Sequence, residues 1–171
     1  MSDETVWYRA DYWGFATDQE ASPVQDPHDG GFYVYASSDL WAARAYAAIR
    51  QHQDGVRRSV YRVSLIGEPL PDPDYAIFPE FVRCFSATLE EVIEAHATMS
   101  PDEAIEYMCQ TYNPPWPGSD SPMYDSDGFP TASPAMREAG IDASELRHLG
   151  RYQPPKVIGD SAEGLVNRRP D

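Results

Sequence analysis

The sequence predicts an α+β domain, and three stretches carry that expectation. Residues 31–49, GFYVYASSDLWAARAYAAI, pass from an aromatic, β-branched run into an alanine-rich one, which reads as a strand turning into a helix. Residues 59–66, SVYRVSLI, show partial alternation with three β-branched aliphatics and form the clearest strand in the chain. Residues 100–103, Ser-Pro-Asp-Glu, place serine at an N-cap, proline at the first helical position and acids in the first turn.

A chain of 171 residues suits one domain, and no internal repeat is visible. Hydrophobic content of 42% with 12% aromatics supports a packed core and argues against disorder along the whole length. The 13 basic and 28 acidic residues leave a net charge of −15. That charge opposes nucleic-acid backbones and anionic membranes, so a nucleic-acid partner is disfavoured. Cys84 and Cys109 match no metal-binding spacing, and a reduced pair is expected. The N-terminus has neither a basic nor an apolar signal region, and no segment reaches membrane-spanning length; a soluble, cytoplasmic protein is expected.

In chain order, Thr5-Val6-Trp7-Tyr8-Arg9-Ala10 reads as a first strand. Residues 11–30 lack periodicity and contain Gly14, Pro23, Pro27 and Gly30; a solvated acidic loop is expected, bearing Asp18, Glu20, Asp26, His28 and Asp29. Ser38 and Asp39 are the N-cap candidates of the helix that follows. After the 59–66 strand, residues 67–74 carry three prolines, which are expected to forbid both ladder and helix. A strand is expected within residues 78–85. Residues 89–95 fit either a helix or a final strand, because Leu89, Val92 and Ile93 suit both periods. The helix beginning at Pro101 should run to about Tyr112 and stop at Asn113-Pro114-Pro115. A loop packed on the body, with Trp116, Tyr124 and Phe129, leads to short helices at 133–139 and 142–149, and residues from Gln153 onward read as frayed. Asp125-Ser126-Asp127-Gly128 is like the front of a calcium loop but lacks the remaining ligand positions.

An aromatic strand with arginine, then Tyr35-Ala36-Ser37-Ser38 before an alanine-rich helix, then Val60-Tyr61-Arg62-Val63 and the turn from Gly67 to Pro73 form an ordered series. In that order they resemble the ADP-ribosyltransferase fold, most of all the rifamycin-inactivating ADP-ribosyltransferases, over residues 5–98. The resemblance implies a split β-sheet core with flanking helices at 1–98; residues 99–171 have no counterpart in it and are expected to form a helical, Pro/Gly-rich and loop-rich C-terminal extension packed on the same domain. The resemblance also implies NAD as substrate, with cleavage of its nicotinamide–ribose bond and transfer of ADP-ribose to a small molecule or protein.

On that resemblance Tyr35 is the nicotinamide platform, Ser37 and Ser38 its polar edge, and Asp72 the carboxylate that activates the acceptor. Tyr8 and Arg9 take the first-strand site, where Arg9 offers a planar fork to the phosphate or ribose. The rifamycin-modifying enzymes carry histidine there. An arginine is instead the pattern of the arginine/serine/glutamate toxins, for which Glu80 is the available glutamate. Asp72, Asp74 and Glu80 all remain candidates for the catalytic carboxylate. NAD-degrading toxins of the RES type share the fold, but the glutamate expected in their alanine-rich helix is absent.

The same residues have plainer readings. Tyr33 and Tyr35 can be core and cross-strand partners, Asp72 and Asp74 turn residues, and Arg9 the partner of any of many acids. A second class of function also fits the composition: a non-catalytic acidic protein that imitates a polyanion and blocks a basic surface of its partner.

Overall fold

A computed structural model of the chain describes residues 3–115 and 122–152. Among these residues seven antiparallel strands form one sheet, β1 Trp7–Tyr12, β2 Val24–Gln25, β3 Phe32–Ser37, β4 Arg58–Ile66, β5 Leu70–Pro71, β6 Phe81–Cys84 and β7 Ser86–Glu94. Their order across the sheet is β5-β6-β3-β1-β4-β7, with β2 paired to β3. Helices α1 Leu40–Asp54 and α2 Pro101–Thr111 pack on each other, and two short helices follow, α3 Pro134–Glu138 and α4 Ala143–Leu146. The domain is thus mixed α+β. Among the described residues no helix is long and apolar enough to cross a membrane.

The strand-to-helix stretch folds as expected. Asp39 is the N-cap of α1: its carboxylate accepts from the Trp41 amide at 2.9 Å. Its second oxygen also accepts from Tyr107 and Tyr112 of the α2 segment, which ties the two helices at their ends. Gly55 closes α1 with φ +71, a left-handed geometry that suits glycine. The alanines at 42, 45 and 48 are almost wholly buried and admit the aromatic cluster of Tyr75, Phe78, Phe81 and Tyr112. Ser100 makes the full capping box with Glu103 at the start of α2.

Period-2 alternation places Tyr8, Ala10, Tyr35, Ser37, Phe81 and Arg83 on the sheet face turned toward α1, as the registers Tyr8↔Ser37, Tyr35↔Arg83 and Ser37↔Phe81 require. Val34, Tyr61, Val63, Val82 and Leu89 form a second cluster with Trp7 and Phe15.

Several expectations need correction. The proline-rich 67–74 stretch does join the ladder: Leu70 and Pro71 pair with Arg83 and Val82 at the sheet edge, where a missing amide costs nothing on the outer side. A 3-10 turn then runs Pro73–Tyr75, with proline at its first position and Asp72 as cap. Residues 86–94 are a strand, which decides between the two alternatives left open for 89–95. The 11–30 segment is not merely solvated loop, since β2 lies in it, Glu20 bridges to Thr88, and Asp26 is 1% exposed. Asp125 Oδ1 serves a turn by accepting from the amides of Asp127 and Phe129. Trp116 and the residues from Gln153 onward lie outside the described residues.

Candidate active site

Strands β1 and β3 share a single register pair, Tyr8↔Ser37, and then part. The divergence leaves a cavity of about 120 Å³ between them, roofed by α1 and closed by the Asp72 turn. Its walls include Tyr8, Arg9, Tyr35 and Ser37 from the strands, with Tyr46 and Arg50 from α1. Asp72, Asp74, Tyr75 and Phe81 complete the far side. Five sequence-predicted residues therefore meet in one place: Tyr8, Arg9, Tyr35, Ser37 and Asp72. Ser38 and Glu80 lie outside that lining and meet each other instead, the Ser38 amide donating to the Glu80 carbonyl at 2.9 Å.

Arg9 is 5% exposed and turned inward. Its Nε donates to Asp11 at 2.9 Å, and its two terminal nitrogens donate to the carbonyls of Tyr35 at 2.9 Å and Ser22 at 2.7 Å. This matches the plainer reading, in which Arg9 answers a neighbouring acid. The donor fork expected for a phosphate is thus engaged by the protein itself. Ser37 Oγ accepts from the Asp39 amide at 3.0 Å, so it helps shape the turn into α1 as well as lining the cavity.

The ring of Tyr35 faces the cavity, while its hydroxyl donates to Asp26. Asp26 is the hub of a buried network. It also accepts from Arg83 at 2.8 Å, from the His28 amide at 2.7 Å and from His28 Nδ1 at 2.9 Å. Burial works against its charge, but the bonds from His28 and Tyr35 and the nearby Arg83 win, holding its carboxyl far below the usual range. Burial would likewise lower His28, yet the bond to Asp26 and the charges of Asp74 and Asp72 raise it above 6.5. Burial and the bond to Asp26 keep the Tyr35 phenol protonated at any ordinary pH.

His28 Nε2 reaches Tyr152 Oη at 3.2 Å and Asp74 at 3.6 Å, which connects the network to the cavity wall and to the C-terminal segment. Asp72 is 7% exposed. Its Oδ1 accepts from the Asp74 amide at 3.0 Å, and burial together with the adjacent Asp74 charge pushes its carboxyl up to about 7. Asp72 is consequently both a turn cap and a buried acid that titrates near neutrality, the usual condition for a group that moves protons.

Asp26, His28, Arg83 and Tyr46 had no clear mark in the sequence. The signal closest to one is Arg83 in the otherwise apolar run Phe81-Val82-Arg83-Cys84, since a charge on a central strand needs a partner. No group of three or more His, Cys, Asp or Glu side chains is placed to hold a metal ion among the described residues. No protein-family model and no curated protein matches the chain.

Proposed function

We propose that the chain is an NAD-dependent ADP-ribosyltransferase that breaks the nicotinamide–ribose bond and transfers ADP-ribose to a small-molecule or protein acceptor. One observation supports this: Tyr8, Arg9, Tyr35, Ser37 and Asp72, five of the seven residues singled out by the family resemblance, line a single cavity. Its 120 Å³ is of the order of the roughly 150 Å³ that accepts one benzene ring, which is room for a single aromatic ring with its substituent and the rest of the ligand outside the enclosed space. Tyr8, Tyr35, Tyr75 and Phe81 supply aromatic faces for that ring.

The chemistry asks for little at the leaving group. The nicotinamide ring is cationic, and when its bond to ribose C1′ breaks the electron pair neutralises it. The ribose is then oxocarbenium-like, and a carboxylate near it lowers the barrier. The acceptor nucleophile bonds to C1′, and its proton passes to Asp72, whose raised pKa of about 7 suits a general base near neutral pH. Asp74 shares the wall. Glu80, outside the lining, is the weaker candidate. Arg9 is a positioning residue in this scheme, holding the Tyr35 backbone from behind.

The decisive experiment follows nicotinamide release from NAD, with a cell lysate as acceptor source, for wild type, Tyr35→Ala and Asp72→Asn. The expected result is turnover by wild type that both substitutions reduce by at least about 100-fold. Absence of turnover together with absence of a thermal shift on adding NAD would sink the reading.

A further inference from the structure

Among the described residues, three arginines line the cavity: Arg9, Arg50 and Arg58. Two are neutralised inside the fold, Arg9 by Asp11 at 2.9 Å and Arg58 by Asp54 at 2.7 Å. Arg50 differs. Its guanidinium donates to the neutral Gln53 Oε1 at 3.0 Å and lies 5.9 Å from the centre of the Tyr46 ring, with no carboxylate in ion-pair range among the described residues. Arg57, Arg137, Arg147 and Arg151 likewise form no ion pair among the described residues, but of these five arginines it is Arg50 that lines the cavity. The acid best spaced to meet it is Asp54, four positions on, and Arg58 has taken that carboxylate.

Position supports the same view. Ala43, Tyr46 and Arg50 follow each other on the face of α1 that walls the cavity. Tyr46 Oη lies 2.6 Å from Tyr75 Oη, and Tyr75 belongs to the turn that Asp72 caps. Arg50 sits one helical turn, about 6 Å, further along α1 from that contact. Among the described residues the cavity therefore presents two carboxylates, Asp72 and Asp74, and the Arg50 guanidinium, which pairs with neither. A ligand with a cationic ring and a separate diphosphate has the complementary charges.

We propose that Arg50 is the phosphate contact of this cavity, gripping the diphosphate of a nucleotide through its planar donor fork. Naming that nucleotide as NAD rests on the function proposed above; the phosphate contact itself does not. Arg50 thereby fills the role for which the donors of Arg9 are already engaged.

The test measures binding of NAD, ADP, inorganic pyrophosphate and nicotinamide by calorimetry to wild type, Arg50→Gln and Arg50→Lys, at low and high salt. Arg50→Gln should weaken NAD and ADP by about tenfold or more and flatten their salt dependence, leaving nicotinamide unchanged. Arg50→Lys should fall between, and it gives the same readout should the glutamine variant lose its fold. ADP binding that depends on Arg50, with no NAD binding, would support the phosphate contact and overturn the NAD reading. Phosphate ligands that bind Arg50→Gln within twofold of wild type, or fail to bind wild type at all, overturn the proposal.

Discussion

The guanidinium of Arg9 donates to the backbone carbonyl of Tyr35 at 2.9 Å, across the point where β1 and β3 have ceased to pair. A side chain thus stands in for ladder bonds that the diverging strands no longer make. The gap is what admits a cavity into the middle of a sheet, and Arg9 is what keeps the gap from leaving a bare carbonyl. Its charge is balanced by Asp11, itself 2% exposed.

Arg9→Met should therefore cost about 3–5 kcal/mol, because Asp11 would be left buried without its cation. Arg9→Lys should also be destabilising, since an ammonium cannot reach Asp11, Tyr35 and Ser22 with fork geometry. Urea denaturation measures both; an Arg9→Met variant within about 1 kcal/mol of wild type would show that the gap does not depend on this residue.

The Asp26–His28 pair predicts a pH profile with two limbs. Asp26 has a depressed folded pKa, so its contribution is complete above the unfolded value of about 4 and is lost as pH falls through the folded value well below it. His28 has a raised folded pKa, so its contribution is complete below about 6.5 and is lost as pH rises through the higher folded value. Thermal melts across pH should show stability declining on both sides, the acid limb flattened in Asp26→Asn and the alkaline limb flattened in His28→Gln. An unchanged alkaline limb in His28→Gln would remove His28 from the account.

Asp72 works in the opposite sense to Asp26. A carboxyl raised to about 7 binds its proton more tightly folded than unfolded, so it costs stability increasingly from about pH 4 to pH 7. Asp72→Asn can keep the bond from the Asp74 amide without the charge, and it should be more stable than wild type at pH 8 by roughly 1–3 kcal/mol. The same substitution should abolish the rise of NAD turnover between pH 6 and 8 that a base of this pKa produces. Equal stability of the two proteins at pH 8 would argue that Asp72 is not a strained acid.

Asp39 serves three donors: the Trp41 amide and the hydroxyls of Tyr107 and Tyr112. Asp39→Ala should cost more than the roughly 1 kcal/mol of an ordinary cap, because two tyrosine hydroxyls lose their acceptor together with the helix end. Tyr107→Phe made in the Asp39→Ala background should add little, as expected of residues in one network. A loss of only about 1 kcal/mol would reduce Asp39 to a helix cap.

Most elements were legible from local pattern. Tyr33 and Val34 beside an alanine run, the caps at Asp39 and Ser100, and the Val60–Val63 strand all declare themselves within a few residues. Strand β7 was ambiguous for a physical reason: its pairing with β4 shifts register at Val60/Tyr61 and Arg62/Val63, and a shifted register breaks the period of two that marks a strand. Pro71 misled in the other direction. Proline argues against a central strand, and only the edge position of β5 makes it acceptable.

The cavity was half legible. Tyr8, Arg9, Tyr35, Ser37 and Asp72 could be chosen because residue order and spacing survive in the sequence. Asp26 and His28 could not, since an Asp-Pro-His in a polar stretch looks the same whether it faces water or is covered. What covers it comes from far away in the chain: Arg83, 57 positions on, and Tyr152, 124 positions beyond His28.

By itself, then, the sequence determined where most of the longer strands and helices lie, which residues cap the helices, and that an arginine in so acidic a chain often meets an acid. Only the tertiary structure decided how charge is distributed around the cavity. It buried Asp72 beside Asp74, which raises one carboxyl, and buried Asp26 beneath Arg83, Tyr35 and His28, which lowers another. It gave Asp54 to Arg58 and left Arg50 facing the cavity. Spacing along a chain sets which residues share a face. The ionisation of a carboxylate depends on the water it loses and the donors it gains, and those are supplied by segments remote in sequence.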